Sequence, residues 1–253
     1  MSTYVITGGA SGIGAAIARQ LDSEGHRVLT VDIKEADILA DLSTDEGRQS
    51  AVTAIREATA DGIKGLVTSA GLGSHVPDNG LITRVNYSGT VELIEGLREH
   101  LASNNADVLL ISSNSAPMKT NPEFIEQLLA GELDAAVATA EGMDGQPVYS
   151  GTKQAVTIWM RRNAAVYAAE GIRMNAIGPG YTRTPLSAAV EDDPTYGEAI
   201  KQFIASIPVG RAGVPEDMAD AASFLLGERA GFICGAMLFV DGGHDAMMRP
   251  DKF

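Results

Sequence analysis

Short apolar runs alternate along the chain with longer segments in which apolar residues recur every three or four positions. The short runs predict buried strands, and the longer segments predict helices with one apolar face. Alternation of this kind predicts an α/β fold, a doubly wound parallel sheet of about seven strands flanked by helices. The expected strands are residues 4–6, 27–32, a segment ending at 42, 65–68, 107–111, 172–177 and 236–240, and the main helices are 15–21, 43–56, 86–102 and 149–169.

Composition narrows the class of protein. No Pro- or Ser-rich linker interrupts the alternation, so we expect a single domain over residues 1–253. The net charge of -14 argues against nucleic acid or an anionic membrane as a partner, because both would repel the chain. Cys234 is the single cysteine, which excludes an intrachain disulfide and offers no metal cluster. Without a signal peptide or a membrane-length apolar run, the cytoplasm is the expected location.

A glycine-rich turn, TGGASGIG at residues 7–14, joins the first strand to the first helix. Gly8 would allow a tight turn, Gly12 a close backbone approach to a pyrophosphate, and Gly14 close packing of the helix. The helix N-terminus would face the anion. Glycines also mark ordinary turns, so an ordinary turn is the alternative to a phosphate-binding one. In this strand-turn-helix context, the turn favours a Rossmann-type dinucleotide site.

Two carboxylates follow at the expected strand ends. Asp32 lies 18 residues beyond Gly14 and would bind the adenosine ribose hydroxyls, while repelling a 2′-phosphate. No Arg or Lys occupies the glycine turn to offset that repulsion, so NAD is expected in preference to NADP. Asp41 would hydrogen-bond the adenine amino group, or it belongs to the N-terminal cap region of the next helix.

Tyr149 and Lys153 are spaced one helical turn apart within YSGTK, so they share a helix face. A free tyrosine is too weakly ionised at neutral pH to act as a base. The Lys153 ammonium, together with an oxidised nicotinamide, would favour the phenolate. Taken alone, Tyr149 is an amphipathic-helix residue and Lys153 a surface charge; the pattern around them carries the catalytic interpretation.

The glycine turn, Asp32, Asn86, Ser113, YSGTK and PGYTRT at 179–184 together resemble the short-chain dehydrogenase/reductase family over nearly the whole chain. The resemblance implies hydride transfer between a secondary alcohol and NAD. Tyr149 would be the base, Lys153 would also bind the nicotinamide ribose, and Ser113 would hydrogen-bond the substrate oxygen. Asn86 would support a water-linked proton route, and Thr184 would hold the carboxamide.

Ser113 is chosen over Ser112 because it is second in the family's Ser-Ser pair, with Ser115 as a less favoured substitute. A departure from the family occurs at residues 68–71, TSAG, where two asparagines are usual. The expected catalytic residues are thus Asn86, Ser113, Tyr149 and Lys153, with no metal. The expected cofactor-binding residues are Gly8, Ser11, Gly12, Ile13, Gly14, Asp32, Asp41, Leu42, Ala70, Gly71, Tyr149, Lys153, Pro179, Gly180, Thr182 and Thr184.

An insertion of about residues 115–147 separates Ser113 from Tyr149 by 36 positions, far more than the family usually has. Asn121-Pro122-Glu123 predicts a helix start, and apolar residues at helical spacing follow it. A second helix is expected after a break at Gly131. The insertion either shapes a pocket or only packs. By position it would crowd the helices that commonly form the family's tetramer, so a homodimer is expected.

The insertion and the chain end, residues 241–250, resemble the bacterial 3α-hydroxysteroid dehydrogenase/carbonyl reductase branch of the family. That resemblance implies a small hydrophobic alcohol or ketone as substrate. Terpene or aromatic alcohols, including coniferyl-type ones, remain alternatives, as does a non-catalytic dinucleotide-binding regulator. The residues expected to line an apolar pocket are Met118, Met143, Tyr181, Leu186, Val190, Tyr196, Ile200 and Phe203.

Overall fold

The computed structural model describes residues 1–184 and 197–252, with side chains in the second range from residue 201 onward. Leu186, Val190, Tyr196 and the Ile200 side chain therefore lie outside the described part. Seven strands form one parallel sheet in the order β3-β2-β1-β4-β5-β6-β7, which confirms the predicted fold class. The strands are β1 Thr3–Thr7, β2 Arg27–Asp32, β3 Ile38–Leu39, β4 Gly65–Thr68, β5 Asp107–Ile111, β6 Arg173–Pro179 and β7 Met237–Val240.

Helices cover both faces of this sheet because each central strand is apolar on both sides. In β1, Val5 points into a core shared with the helices on one face, whereas Tyr4 and Ile6 point into a core on the other. None of the helices in the described ranges is long and apolar enough to cross a membrane. The helices are α1 Gly12–Ser23, α2 Asp45–Ala58, α3 Asn79–Thr83, α4 Gly89–Ser103, α5 Pro122–Leu129, α6 Leu133–Glu141, α7 Gly145–Ala169, α8 Gly197–Ala205, α9 Pro215–Leu226 and α10 His244–Met248, with a π turn at Arg84–Ser88 and a 3₁₀ turn at Glu228–Ala230.

Two helices begin four or more residues before the start that the sequence predicts. The helix expected to open at Asn86 begins with α3 instead, where the Asp78 carboxylate accepts a hydrogen bond from the Leu81 N–H at 2.8 Å. Asn86 lies inside the following π turn. The helix expected to open at Tyr149 begins four residues earlier, with α7. Pro147 does not prevent this, because N–H groups in a first helical turn have no partner within the helix.

Helices α5 and α6 occupy the expected insertion and are tied to the rest of the fold. The Asn121 side chain caps α5 by accepting a hydrogen bond from the Glu123 N–H at 3.0 Å, as its position predicts. The fully buried Phe124 ring lies against α7, where a Cβ on Gly151 would come within 2.8 Å of it. The Asn79 amide of α3 donates hydrogen bonds to the carbonyls of Ala140 and Met143. Helix α5 therefore packs against α7, the helix that carries Tyr149, and α6 is held to α3.

We expect Phe124→Ala to lower the free energy of unfolding by about 3–5 kcal/mol, since it leaves a cavity between α5 and α7 that the backbone at Gly151 cannot fill. Urea denaturation followed by circular dichroism measures this. Glu126→Ala, an exposed change on the same helix, is the control and should stay within about 0.5 kcal/mol of the wild type. A loss below about 1 kcal/mol for Phe124→Ala would show that the helix pair is not part of the core.

Candidate active site

A cleft of about 820 Å³ opens at the carboxyl ends of the strands. It lies where the chain order of the sheet reverses, with β2 on one side of β1 and β4 on the other, the usual ligand position in such sheets. Ser113 and all of the expected cofactor-binding residues line it, whereas Asn86 does not. The tertiary structure therefore brings together residues that are spread over more than 170 positions of the sequence, from Gly8 to Thr184.

The glycine turn forms an open cradle at one end of the cleft. Gly8 has a φ of 68°, and a Cβ there would lie 2.7 Å from the Ala70 nitrogen. A Cβ on Gly14 would collide with the Gly8 carbonyl oxygen. Ser11 precedes α1 without a capping side-chain hydrogen bond. The backbone N–H groups at the start of α1 can therefore receive an anionic group, and a side chain on Gly8 or Gly14 would force apart the turn that presents them.

Asp32 and Asp41 lie beside this cradle, each held by backbone N–H groups. The Asp32 carboxylate accepts hydrogen bonds from Ala10 at 3.1 Å and from Ile33 at 2.7 Å. Asp41 accepts one from the Ser43 N–H at 2.9 Å, and hydrogen bonding to Ser43 holds the pKa of Asp41 below its usual value. Thr44, not Asp41, caps α2 through a hydrogen bond from Gly47. Both carboxylates are thus fixed in position beside the cradle.

Tyr149 and Lys153 lie at the other end of the cleft, on α7. The buried Lys153 ammonium donates a hydrogen bond to the Ile111 carbonyl at 2.9 Å and lies 5.9 Å from the centre of the Tyr149 ring. Burial lowers the pKa of Lys153 to about 8. Burial also raises the pKa of Tyr149, and a hydrogen bond with Ser113 opposes that rise. In the protein by itself, Tyr149 is therefore a proton donor at neutral pH, and a further positive charge would be needed to ionise it.

The two serines after β5 face different neighbours. The Ser112 hydroxyl donates to the Lys153 carbonyl at 3.1 Å and shares a hydrogen bond with Thr157 at 2.8 Å, so it is committed to α7. The Ser113 hydroxyl faces Tyr149 and accepts hydrogen bonds from the N–H and the hydroxyl of Ser115. This geometry favours Ser113, rather than Ser112, as the group that meets a ligand oxygen beside Tyr149.

The Asn86 side chain links the loop after β4 to α7. Its Oδ1 accepts a hydrogen bond from the Leu72 N–H at 2.7 Å, and its Nδ2 donates to the Leu72 carbonyl and to the Thr152 hydroxyl. Because Asn86 is fully buried, its side chain does not reach the cleft directly. A Cβ on Gly71 would lie 3.2 Å from Asn86 Oδ1 and 3.3 Å from Lys153 Nζ, so the asparagine stands next to the lysine.

The expected insertion reaches the cleft at both of its ends. Met118 lines the cleft, as expected, but Met143 packs against the core instead. Gln146 also lines the cleft but is not among the predicted site residues, because the predicted helix begins only at Tyr149. It lies one turn before Tyr149, so an earlier helix start would have indicated it. Tyr181 and Phe203 also line the cleft. Their rings meet edge to face, with the ring centres 5.9 Å apart.

Family models and named proteins match this chain over most of its length. A family model described as "short chain dehydrogenase" matches residues 2–125, and one described as "Enoyl-(Acyl carrier protein) reductase" matches residues 133–245. The 3-alpha-hydroxysteroid dehydrogenase/carbonyl reductase of Comamonas testosteroni is 38% identical, and the alignment covers 100% of both chains. The cis-4-hydroxycyclohexanecarboxylate dehydrogenase of Sinomonas cyclohexanicum is 33% identical, with 96% of each chain covered.

Among solved structures, the 3-alpha-hydroxysteroid dehydrogenase from Pseudomonas sp. B-0831, complexed with NADH, is 41% identical to this chain. It covers 100% of both chains with a TM-score of 0.94. The chain therefore belongs to the short-chain dehydrogenase/reductase family.

Proposed function

We propose that the protein is an NAD-dependent oxidoreductase that interconverts a hydrophobic secondary alcohol and its ketone, with hydroxysteroids as the preferred substrate class. The observation that carries this proposal is the meeting, in one cleft, of a glycine cradle with the Ser113, Tyr149 and Lys153 side chains. The full-length similarity to two 3-alpha-hydroxysteroid dehydrogenases supports the substrate class.

The cofactor site fits a dinucleotide because its glycines let the turn pack against residues 69–70 and leave the N–H groups at the start of α1 open to a pyrophosphate. Bound NAD would accept a hydride from the alcohol carbon. The N-terminus of α1 would hold the pyrophosphate, Asp32 the adenosine ribose, and Asp41 the adenine amino group. Thr184 would hold the carboxamide end, and a Cβ on Gly12 would already touch the Thr184 side chain at 3.5 Å. The remaining contacts come from the other cofactor-lining residues named above.

Proton transfer would rest on three side chains of this chain. Tyr149 would take the hydroxyl proton during oxidation and return it during reduction, and Ser113 would donate a hydrogen bond to the substrate oxygen. The Lys153 ammonium would favour the phenolate and bind the nicotinamide ribose. Asn86, which holds the loop next to Lys153, would support the proton route to that lysine.

The walls of the cleft suit a rigid apolar ring system. Met118 and the edge-to-face pair Tyr181 and Phe203 all line the cleft. Such walls would bind flat hydrocarbon faces and leave the substrate hydroxyl to the polar group at Tyr149. The names of two of the relatives specify a hydroxysteroid and a hydroxycyclohexane carboxylate, both of which carry a hydroxyl group on a six-membered carbon ring.

Purified protein with NAD should therefore produce NADH, followed by its absorbance, with 3α-hydroxysteroids in preference to terpene or aryl alcohols. Tyr149→Phe should lower kcat by roughly 10²- to 10⁴-fold, since the proton acceptor is lost while the ring stays. Tyr167→Phe is the matched control, a buried tyrosine elsewhere on α7, and should retain activity. Turnover of aryl or terpene alcohols alone would overturn the substrate class. NAD binding without turnover of any alcohol would instead favour a regulator.

Selectivity for NAD over NADP is a further part of the proposal, and the fixed Asp32 carboxylate supports it. Its two backbone hydrogen bonds hold the negative charge at the end of β2. A 2′-phosphate on the ribose would meet that charge at close range. The glycine turn offers no basic side chain in compensation.

Asp32→Asn should narrow the ratio of kcat/KM with NAD to that with NADP by roughly tenfold or more, because it removes the repelling charge with little change of shape. Steady-state kinetics with both cofactors measure the ratio. Asp37→Asn is the control, since Asp37 is also a carboxylate beside β2 but bonds to Thr30 outside the cleft. Wild-type protein that uses both cofactors equally would contradict the proposed selectivity.

We also propose that residues 1–253 form one domain, with about 115–147 as its insertion, and that two copies form a homodimer. Helix α5 packs over the start of α7 through Phe124, which supports the idea that this face is obstructed. At the β7 edge of the sheet, β7 and its neighbours expose large apolar side chains. These are Phe224, Phe232 and Leu238, and Phe232 is fully exposed.

Light scattering after gel filtration should give the mass of two chains, and Phe232→Glu should shift it toward one chain, because a charge on the apolar edge opposes its burial. Val166→Glu is the control. It places the same charge on an exposed apolar position of α7, on the helix that the tetramers of the family commonly use, and should leave the mass unchanged. A wild-type tetramer or monomer would contradict the dimer.

A further inference from the structure

The hydrogen-bonding capacity of Ser113 is almost fully used within its own loop. A serine hydroxyl has one proton to donate and two lone pairs to accept with. Ser115 fills both lone pairs of Ser113: its N–H donates at 3.1 Å and its hydroxyl donates at 3.0 Å. Ser113 therefore keeps only its own proton to donate, and Ser113 and Tyr149 line the same cleft.

The loop that carries both serines is held from two sides. The Asn114 N–H donates to the Pro179 carbonyl of β6 at 2.9 Å. The Gln154 side chain of α7 donates to the Ala116 carbonyl at 2.8 Å, and the Ala116 N–H donates to the Ser113 carbonyl at 3.1 Å. Ser115 itself is 5% exposed. With the backbone fixed in this way, the direction of the two hydroxyl protons is the remaining freedom in the loop.

We infer that Ser115 is a positioning residue that compels the Ser113 hydroxyl to act only as a hydrogen-bond donor, toward the oxygen that reacts. This inference rests on the proposed function, because it assigns the reacting oxygen to the substrate alcohol or ketone. It goes beyond the family resemblance, which names only Ser113 as the group at that oxygen.

The polarity matters because negative charge develops on the substrate oxygen when hydride leaves the alcohol carbon or arrives at the ketone carbon. A donor aimed at that oxygen stabilises the charge, whereas a hydroxyl free to accept would do so only part of the time. Without the Ser115 hydroxyl, Ser113 has a free lone pair, which can accept the Tyr149 proton. In that arrangement the Tyr149 proton is directed to Ser113 rather than to the substrate oxygen.

Ser115→Ala should lower kcat roughly three- to tenfold with little change of KM for the cofactor, the size expected for one lost hydrogen bond. Because the equilibrium constant of the reaction is unchanged, kcat/KM should fall by the same factor in oxidation and in reduction. The pH at which oxidation reaches half its maximal rate should rise, since the freed lone pair of Ser113 accepts a hydrogen bond from neutral Tyr149 and so stabilises the protonated form. Ser115→Thr retains the hydroxyl and should restore both the rate and the pH profile.

A second readout does not depend on turnover. In protein carrying ¹³C-labelled tyrosine, the Tyr149 resonance is assigned by its loss in Tyr149→Phe and is then followed with pH. The midpoint should move to higher pH in Ser115→Ala and stay at the wild-type value in Ser115→Thr. If the wild type oxidises no alcohol, the proposed function fails, yet this titration still tests the coupling between Ser115, Ser113 and Tyr149.

Thr59→Val is the matched control, because Thr59 is a fully buried hydroxyl that bonds to Ile55 and His100 at the end of α2, away from the cleft. It should lower the free energy of unfolding without moving either pH profile. A Ser115→Ala variant that resembles this control, with lower stability but an unchanged pH profile and Tyr149 midpoint, would overturn the inference and leave Ser115 a structural residue only.

Discussion

The Thr7 hydroxyl joins the two strands between which the cleft opens. It is buried at the end of β1 and accepts hydrogen bonds from the N–H groups of Ser69 and Ala70, both at 3.1 Å, just beyond β4. These contacts hold the glycine turn so close to the β4 end that no Cβ fits on Gly8. Since neighbouring helices depart in different directions here, the same contacts keep a groove open at the strand edge. This junction of β1 and β4 therefore helps to position both the proposed cofactor cradle and the proposed catalytic residues.

Helix α7 is fixed to the sheet by Lys153, one of the proposed catalytic residues. Lys153 donates to the Ile111 carbonyl of β5, and the Ser112 hydroxyl donates back to the Lys153 carbonyl. Tyr149, one turn earlier, is therefore set at a fixed distance from the Ser113 loop. On the outer side, Phe124 of the insertion packs on Gly151, between Tyr149 and Lys153 in sequence. The insertion thus supports the active-site helix and also contributes lining residues at both of its ends.

Burial gives the site its electrostatic character. The same desolvation that lowers the pKa of Lys153 to about 8 raises the pKa of Tyr149, so both groups are displaced toward their neutral forms. Charge supplied next to them, together with a donor hydroxyl from Ser113, would then have a large effect, because interactions between buried groups are weakly screened. The buried hydrogen bonds around Ser113 and Asn86 hold these side chains in place.

The sequence alone determined the sheet, the glycine turn, the Tyr-Lys pair and the capped helix at Asn121, because each depends on spacing along the chain and on local backbone chemistry. The apolar runs of the central strands β1, β4 and β5 are buried along their whole length. Only the tertiary structure decided three further points. Ser112 bonds to α7 while Ser113 faces Tyr149 in the cleft. The Asn86 side chain hydrogen-bonds to Leu72 and Thr152, and Gln146 lines the cleft. Adjacent side chains on an irregular loop have no period to distinguish them. Their hydrogen-bond partners come from strands and helices distant in sequence, so only the packed backbone specifies which partner each one meets.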